Sequence, residues 1–267
     1  TKFNSTGTTL IGSTFIGGTD NDGMNTNSGL RHNYADEFRG EIIVDDNDRC
    51  YIASSTKSIN FPTVNAAQAG MAGTQDAVVF RLSPTLTNLE WSTFLGGMGY
   101  EAGYSLKVNN TGEVFVTGGT NSPNFPVTSG VIRPTFGGNV DGFITRYSTT
   151  GALLSSTYLG TSAYDQSYII QLDDAQDIYV VGQTRGAYPI VSSPLGPVYS
   201  NPNSGQFIHK LNPALTTTIF STVFGRGLAG QIDIVPTAFL VDVCDHIYVS
   251  GWGGAVNNGL GGGSTGG

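Results

Sequence analysis

Short aromatic and apolar markers recur in this chain at an interval of about 64 residues, and no other feature restricts its fold as tightly. Tyr51-Ile52 returns as Phe115-Val116, Tyr179-Val180 and Tyr248-Val249, at spacings of 64, 64 and 69. The pair Phe61-Pro62 returns as Phe125-Pro126 and Tyr188-Pro189, 64 and 63 residues on. Ser-Thr-aromatic begins at Ser13, Ser92 and Ser156, and Ser221-Thr222-Val223 continues the series. The segment Asp76–Leu82 matches Asp141–Tyr147 and, more loosely, Gln206–Leu211. Four independent markers in one register mean a structural unit repeated along the chain.

One unit, read over residues 100–160, divides into four short strands: a, Gly103–Val108; b, Glu113–Gly118; c, Gly142–Tyr147; d, Leu153–Leu159. Each is rich in β-branched and aromatic residues and bounded by Gly, Asn or Pro. The links Asn109–Gly112 and Ser148–Gly151 read as hairpin turns in which Gly or Asn supplies positive φ. Composition agrees with an all-β chain. Of 267 residues, 38 are Gly and 12% are charged, leaving little material for exposed helices. The net charge of −8, with no Lys/Arg cluster, argues against a nucleic-acid footprint. No apolar run approaches the ~20 residues of a membrane helix. Repeated four-stranded units are the signature of a β-propeller, so the expected fold is all-β: four-stranded antiparallel blades, forming part of a larger ring.

The strings Trp91–Gly97, Tyr104–Val108, Val114–Gly118, Phe125-Pro126 and Asp141–Ile144 resemble the SBBP β-propeller repeat. The resemblance covers nearly the whole chain and implies a large secreted or cell-surface bacterial protein. Many such proteins, especially in the Bacteroidota, carry a type IX sorting domain associated with gliding motility. It implies a scaffold rather than an activity. The sequence departs from the pattern in an insertion at 18–40, in Gln206 where the repeat has Asp, and in Arg226 after strand d.

In this register residues 1–17 supply the outer strands of a preceding blade, and 18–97, 98–160 and 161–225 supply three blades. Residues 226–267 begin a further one, with Ile247–Gly251 as its b strand and a Gly-rich loop after it. The b–c loops at 57–75, 121–140 and 185–205 share one face with the insertion, so nearly all the loop mass lies on that side. Loops on a rigid scaffold are where recognition is expected. Cys50 and Cys244 fall three repeats apart, and a disulfide between them would require a small closed ring.

Two sets of oxygen donors suggest a cation, calcium being the one cofactor considered. Glu37, Glu101 and Asp165 each precede an equivalent strand-a apolar position (Ile42, Leu106, Ile170) by five residues. They could ring a central opening, or they could be loop carboxylates that accept backbone N–H bonds. Recurrence favours the second reading, since a structural turn must recur whereas a site need not. Asp20, Asp22 and Asn25 alternate as in calcium loops, but position 12 is Arg31 rather than Glu, and an Asx-rich turn fits better. His32, His209 and His246 show no zinc spacing, and no nucleophile elbow or phosphate-binding glycine motif is present.

The expectation is a non-enzymatic exported propeller, outside the outer membrane and carried by type IX secretion. It would serve as an interaction or adhesion module whose partners are surface proteins, secretion-system proteins or polysaccharide. The alternative is a carbohydrate-binding or glycoside-hydrolysing propeller, the latter needing an accessible carboxyl pair.

Overall fold

A computed structural model describes residues 1–253, which contain sixteen strands, one 3₁₀ turn and no α-helix. A two-stranded hairpin opens the chain, β1 (Lys2–Phe3) with β2 (Leu10–Gly12). Three four-stranded antiparallel sheets follow, each a meander of consecutive strands. The first holds β3 (Glu41–Val44), β4 (Cys50–Thr56), β5 (Asp76–Leu82) and β6 (Leu89–Leu95). The second holds β7 (Glu101–Val108), β8 (Val114–Thr120), β9 (Asp141–Tyr147) and β10 (Leu153–Leu159). The third holds β11 (Asp165–Leu172), β12 (Ile178–Thr184), β13 (Gln206–Leu211) and β14 (Thr218–Phe224). A last pair, β15 (Ile234–Val241) and β16 (Ile247–Gly253), forms its own sheet. The opening hairpin and the last pair do not join, so the described residues form no closed ring. The Gly-rich loop expected after the b strand, from 254 onward, lies outside the described residues.

The sheets pack face to face, which explains why so few strand residues are charged. Tyr51, Val79 and Trp91 of the first sheet meet Leu106, Val116 and Phe143 of the second. Phe115 and Ile144 on the opposite side of the second sheet meet Ile170, Val180 and Phe207 of the third. β8 and β12 are accordingly buried along their whole length, with no polar-out alternation. The leading strands run side by side: Leu106 N–H donates to Glu41 Oε2 (2.8 Å), Ile170 N–H to Ser105 Oγ (3.2 Å) and Gln171 Nε2 to Phe239 O (2.8 Å).

The turns differ from expectation in one respect. Gly112 and Gly151 do take positive φ (83° and 87°), but in the other units Asp48, Leu86, Gln176, Leu215 and Asp245 take it at the equivalent turns. For Leu this region is costly. Leu86 and Leu215 are 6% and 0% exposed, so burial of their side chains offsets the backbone strain. The aromatic-Pro rings are buried as well: Phe61, Phe125 and Tyr188 pack on Phe80, Phe143 and Phe207 with centroids 5.8, 4.7 and 4.1 Å apart. Cys50 and Cys244 are both free thiols.

Candidate functional site: carboxyl groups between sheets

Every leading strand is headed by an acidic residue that closes the chain turn before it. Gly97 N–H donates to Glu101 Oε2 (3.0 Å) and Thr161 N–H to Asp165 Oδ2 (2.6 Å). The same bond joins Gly18 N–H to Asp22 Oδ2 (2.7 Å) and Arg226 N–H to Asp233 Oδ2 (2.7 Å). On the far side, Thr120 Oγ1 donates to Glu101 Oε1 (2.6 Å) and Thr56 Oγ1 to Asp22 Oδ1 (2.5 Å). The recurring set is therefore Asp22, Glu101, Asp165 and Asp233, and Glu37 does not belong to it. Asp22 bridges Thr56 as the first residue of its sheet, so the insertion begins after it and not at Gly18. The separation from head carboxylate to Thr is 34 residues in the first unit and 19 in the second. Of the proposed calcium loop, Asp22 is turned into this turn. Asn25 is buried against Tyr104, Asp36 and Gln75, and Asp20 caps the N–H of Asn21. The three do not converge on one point.

Three of the four head carboxylates also face a residue at the start of the preceding sheet's third strand: Asp76 faces Glu101, Asp141 faces Asp165 and Gln206 faces Asp233. Glycine makes this approach possible. A Cβ on Gly96 would stand 2.5 Å from both Asp76 Cγ and Glu101 Oε2, and one on Gly160 would stand 2.7 Å from Asp141 Oδ1 and 3.0 Å from Asp165 Cβ. All four acids are fully buried. Burial first, and then the neighbouring Asp76, pushes Glu101 up to about 7. Burial first, with Asp165 adding to it, pushes Asp141 up to about 7. Burial also raises Asp76 and Asp165. Two carboxyl groups this close and this dry do not both stay ionised unless a cation lies between them; otherwise one keeps its proton.

The third interface solves the same problem differently, and there both sequence departures acquire a reason. Gln206 removes one charge. With its amide oriented to satisfy both ends, its oxygen accepts Asp233 N–H (2.8 Å) and its nitrogen donates to Phe224 O (3.2 Å). Arg226 supplies the counter-charge, its Nε 2.5 Å from Asp233 Oδ1.

The insertion forms a second cluster. Residues 24–40 cross the leading strands, with Leu30 fully buried. Its carbonyl accepts bonds from Tyr104 Oη (2.8 Å) and Gln166 Nε2 (3.0 Å). Asn33 bonds Gln183, Tyr168 Oη donates to Asp36 Oδ2 (3.0 Å), and Arg39 reaches Pro236 O (3.3 Å). Register shifts at Gly103/Ser105 and Ser167/Ile169 re-aim Tyr104 and Tyr168, which stack 5.5 Å apart beneath Arg39. Burial raises Asp36 even with Arg39 at 3.4 Å. Glu37 points outward to Arg31 (3.1 Å), because the 3₁₀ turn Tyr34–Glu37 directs its neighbour Asp36 inward instead. Tyr34, Phe38 and Arg39 border a surface cavity of about 480 Å³.

His209 is a packed core side chain, bonded to Tyr188 Oη (2.9 Å) and Thr218 Oγ1 (2.8 Å) and lowered to about 3 by burial. Sequence reasoning missed Asp22 and Asp233 as members of the series. The usable signal was Thr56 and Thr120, one repeat apart, which mark the donor to the head carboxylate in the first two units, with Thr184 at the same place in the third. No family model matches the chain, and no curated protein matches it.

Proposed function

We propose that the chain is a stretch of an exported β-propeller of the SBBP-repeat type and works as a non-enzymatic interaction module on the cell surface. Three stacked meander sheets with adjacent leading strands support the propeller reading. Among the described residues β1 and β16 each have one edge without a partner strand, where further strands of a larger ring would fit. The observation that carries the interaction reading is where apolar surface remains. Phe3, Leu10 and Phe15 at one end of the stack are at least half exposed, as are Leu240, Tyr248 and Trp252 at the other, while the middle interfaces are closed. Exposed apolar patches of this kind mark surfaces that another body covers, here the next blades of the ring or a partner. Of the recurring carboxyl groups Glu101 and Asp165 are fully buried, Asp22 and Asp233 partly so, and all four are spent on turns and sheet contacts. The buried pairs Asp76/Glu101 and Asp141/Asp165 offer a sugar no path, which weighs against glycoside hydrolysis at them.

Export by a type IX route, a place outside the outer membrane, and partners among surface or secretion-system proteins belong to the same proposal. Antibody labelling of intact producing cells tests it. Labelling without lysis is the expected result, and labelling only after lysis overturns it. Carbohydrate binding is the second reading, favoured by the exposed rings of Tyr34 and Phe38 beside the 480 Å³ cavity. Glycan-array binding lost in Tyr34→Ala/Phe38→Ala would select it.

A further inference from the structure

The first hairpin of each unit is closed by one device. Its first residue, Asp45, Asn109, Asp173 or Asp242, accepts backbone N–H bonds from residues two or four places on. The position four places on varies: Arg49, Glu113, Asp177, His246. So does the position two places on: Asn47, Thr111, Ala175, Cys244. In the first unit Arg49 Nε (2.8 Å) and Tyr51 Oη (3.0 Å) bond Asp45 Oδ2. In the last, His246 Nδ1 (3.0 Å) and Tyr248 Oη (3.1 Å) occupy the same places on Asp242 Oδ2. The frame is thus structural and recurs, whereas Cys and His enter it only in the last unit.

We infer that Asp242, Cys244 and His246 form a binding site for a divalent transition metal of the zinc class. One ligand atom from each, a carboxylate oxygen, Sγ and a ring nitrogen, all lie within 4.8 Å of one another. A chain with two Cys and three His places one of each on a single five-residue turn. Sulfur, imidazole and carboxylate together are the donor set that Zn²⁺ takes and that Ca²⁺ and Mg²⁺ do not. The frame is preorganised: Asp242 Oδ1 is held by the N–H groups of Cys244 and His246, both at 2.9 Å. Tyr248 Oη on Oδ2 supplies the outer partner that orients a ligating carboxylate. On binding, the thiol releases its proton to solvent and His246 Nδ1 exchanges its contact with Asp242 for the ion. Cys244 and His246 are exposed, so a fourth position faces solvent.

The test is titration of the purified 267-residue chain with Co²⁺ and with Zn²⁺. The expected result is one Co²⁺ per chain with a near-ultraviolet thiolate charge-transfer band, displaced by one equivalent of Zn²⁺. Cys244→Ser should abolish the band, and His246→Gln should weaken binding at least tenfold. Asp242→Asn, which keeps the Oδ1 acceptor and hence the turn, should also weaken binding. Cys50→Ala, buried on β4, should leave binding unchanged. Absence of the band, its persistence in Cys244→Ser, or half-equivalent binding with dimer formation would overturn the site. Circular dichroism of each variant separates loss of ligand from loss of fold.

Discussion

The first and second interfaces between sheets carry the same pair of buried acids, yet only one pair is fully supplied with donors. At Asp76/Glu101, Gly73 and Ala72 N–H groups and Gln68 Nε2 serve the two oxygens of Asp76, and Gly97 and Thr120 serve Glu101. At Asp141/Asp165, Gly137 N–H (2.6 Å) and Thr161 each serve one oxygen, and Oδ1 of both acids meets no donor in hydrogen-bonding geometry. Thr184 Oγ1, in the place of Thr120, donates to Gly186 O instead. A buried acceptor without a donor is costly. The second pair therefore gains more from a proton than the first. Identical side chains in an identical register differ because the loops before them, 68–75 and 133–140, bring different donors.

The largest effect expected is common to both interfaces and ranks them. Gly96→Ala forces a methyl against two carboxyl groups and should cost about 3 kcal/mol by overpacking, read from urea unfolding. Gly160→Ala meets softer contacts and should cost less. Equal losses would mean that the carboxyl groups move aside.

Next in size is a contrast of sign. Asp76→Asn turns an NH₂ toward N–H donors and should destabilise by about 2 kcal/mol, whereas Asp141→Asn provides the missing donor and should stabilise by about 1 kcal/mol at pH 8. The same sign at both sites breaks the comparison.

The pH dependence follows. Between the ordinary carboxyl values of 4.5 and 3.8 and their folded values of about 7, Glu101 and Asp141 hold protons that the unfolded chain has released. Their contribution is complete below about pH 4 and is lost as pH rises through 7. The urea midpoint should fall from pH 5 to pH 8, and Asp141→Asn should remove part of that fall. A calcium-dependent rise in the midpoint at pH 8, absent in Asp141→Asn, would put a cation where the proton is expected. The smallest effect is that of Arg133→Ala. Arg133 Nε stands 3.9 Å from Asp141 Oδ2 and pulls its titration down, so removing it should move the fall in stability to higher pH.

Strand positions and the three long loops were legible because each unit repeats the same alternation of apolar, β-branched and Gly residues. The observed loops occupy the expected 57–75, 121–140 and 185–205. The first and third strands of the second unit begin two residues and one residue earlier than expected, and Glu101 reads as a loop acid until burial and pairing place it at a strand head. Asp22 was hidden for a related reason. The insertion separates it from β3, and Glu37 falls by chance at the spacing the repeat demands. Cys244 and His246 carry no metal signature in the sequence, because a two-residue interval across a tight turn is not one of the common zinc spacings.

By itself the sequence determined the repeat, the all-β class, the four-strand meander and the bounds of the long loops, because these depend on local alternation and turn chemistry recorded every 64 residues. Only the tertiary structure decided which carboxyl groups meet. Asp76 with Glu101, Asp141 with Asp165, and Gln206 with Asp233 each join two different sheets, and Arg226 acquires its role from that neighbour. Their ionisation depends on distance and burial, and those quantities come into being only when one sheet packs against the next.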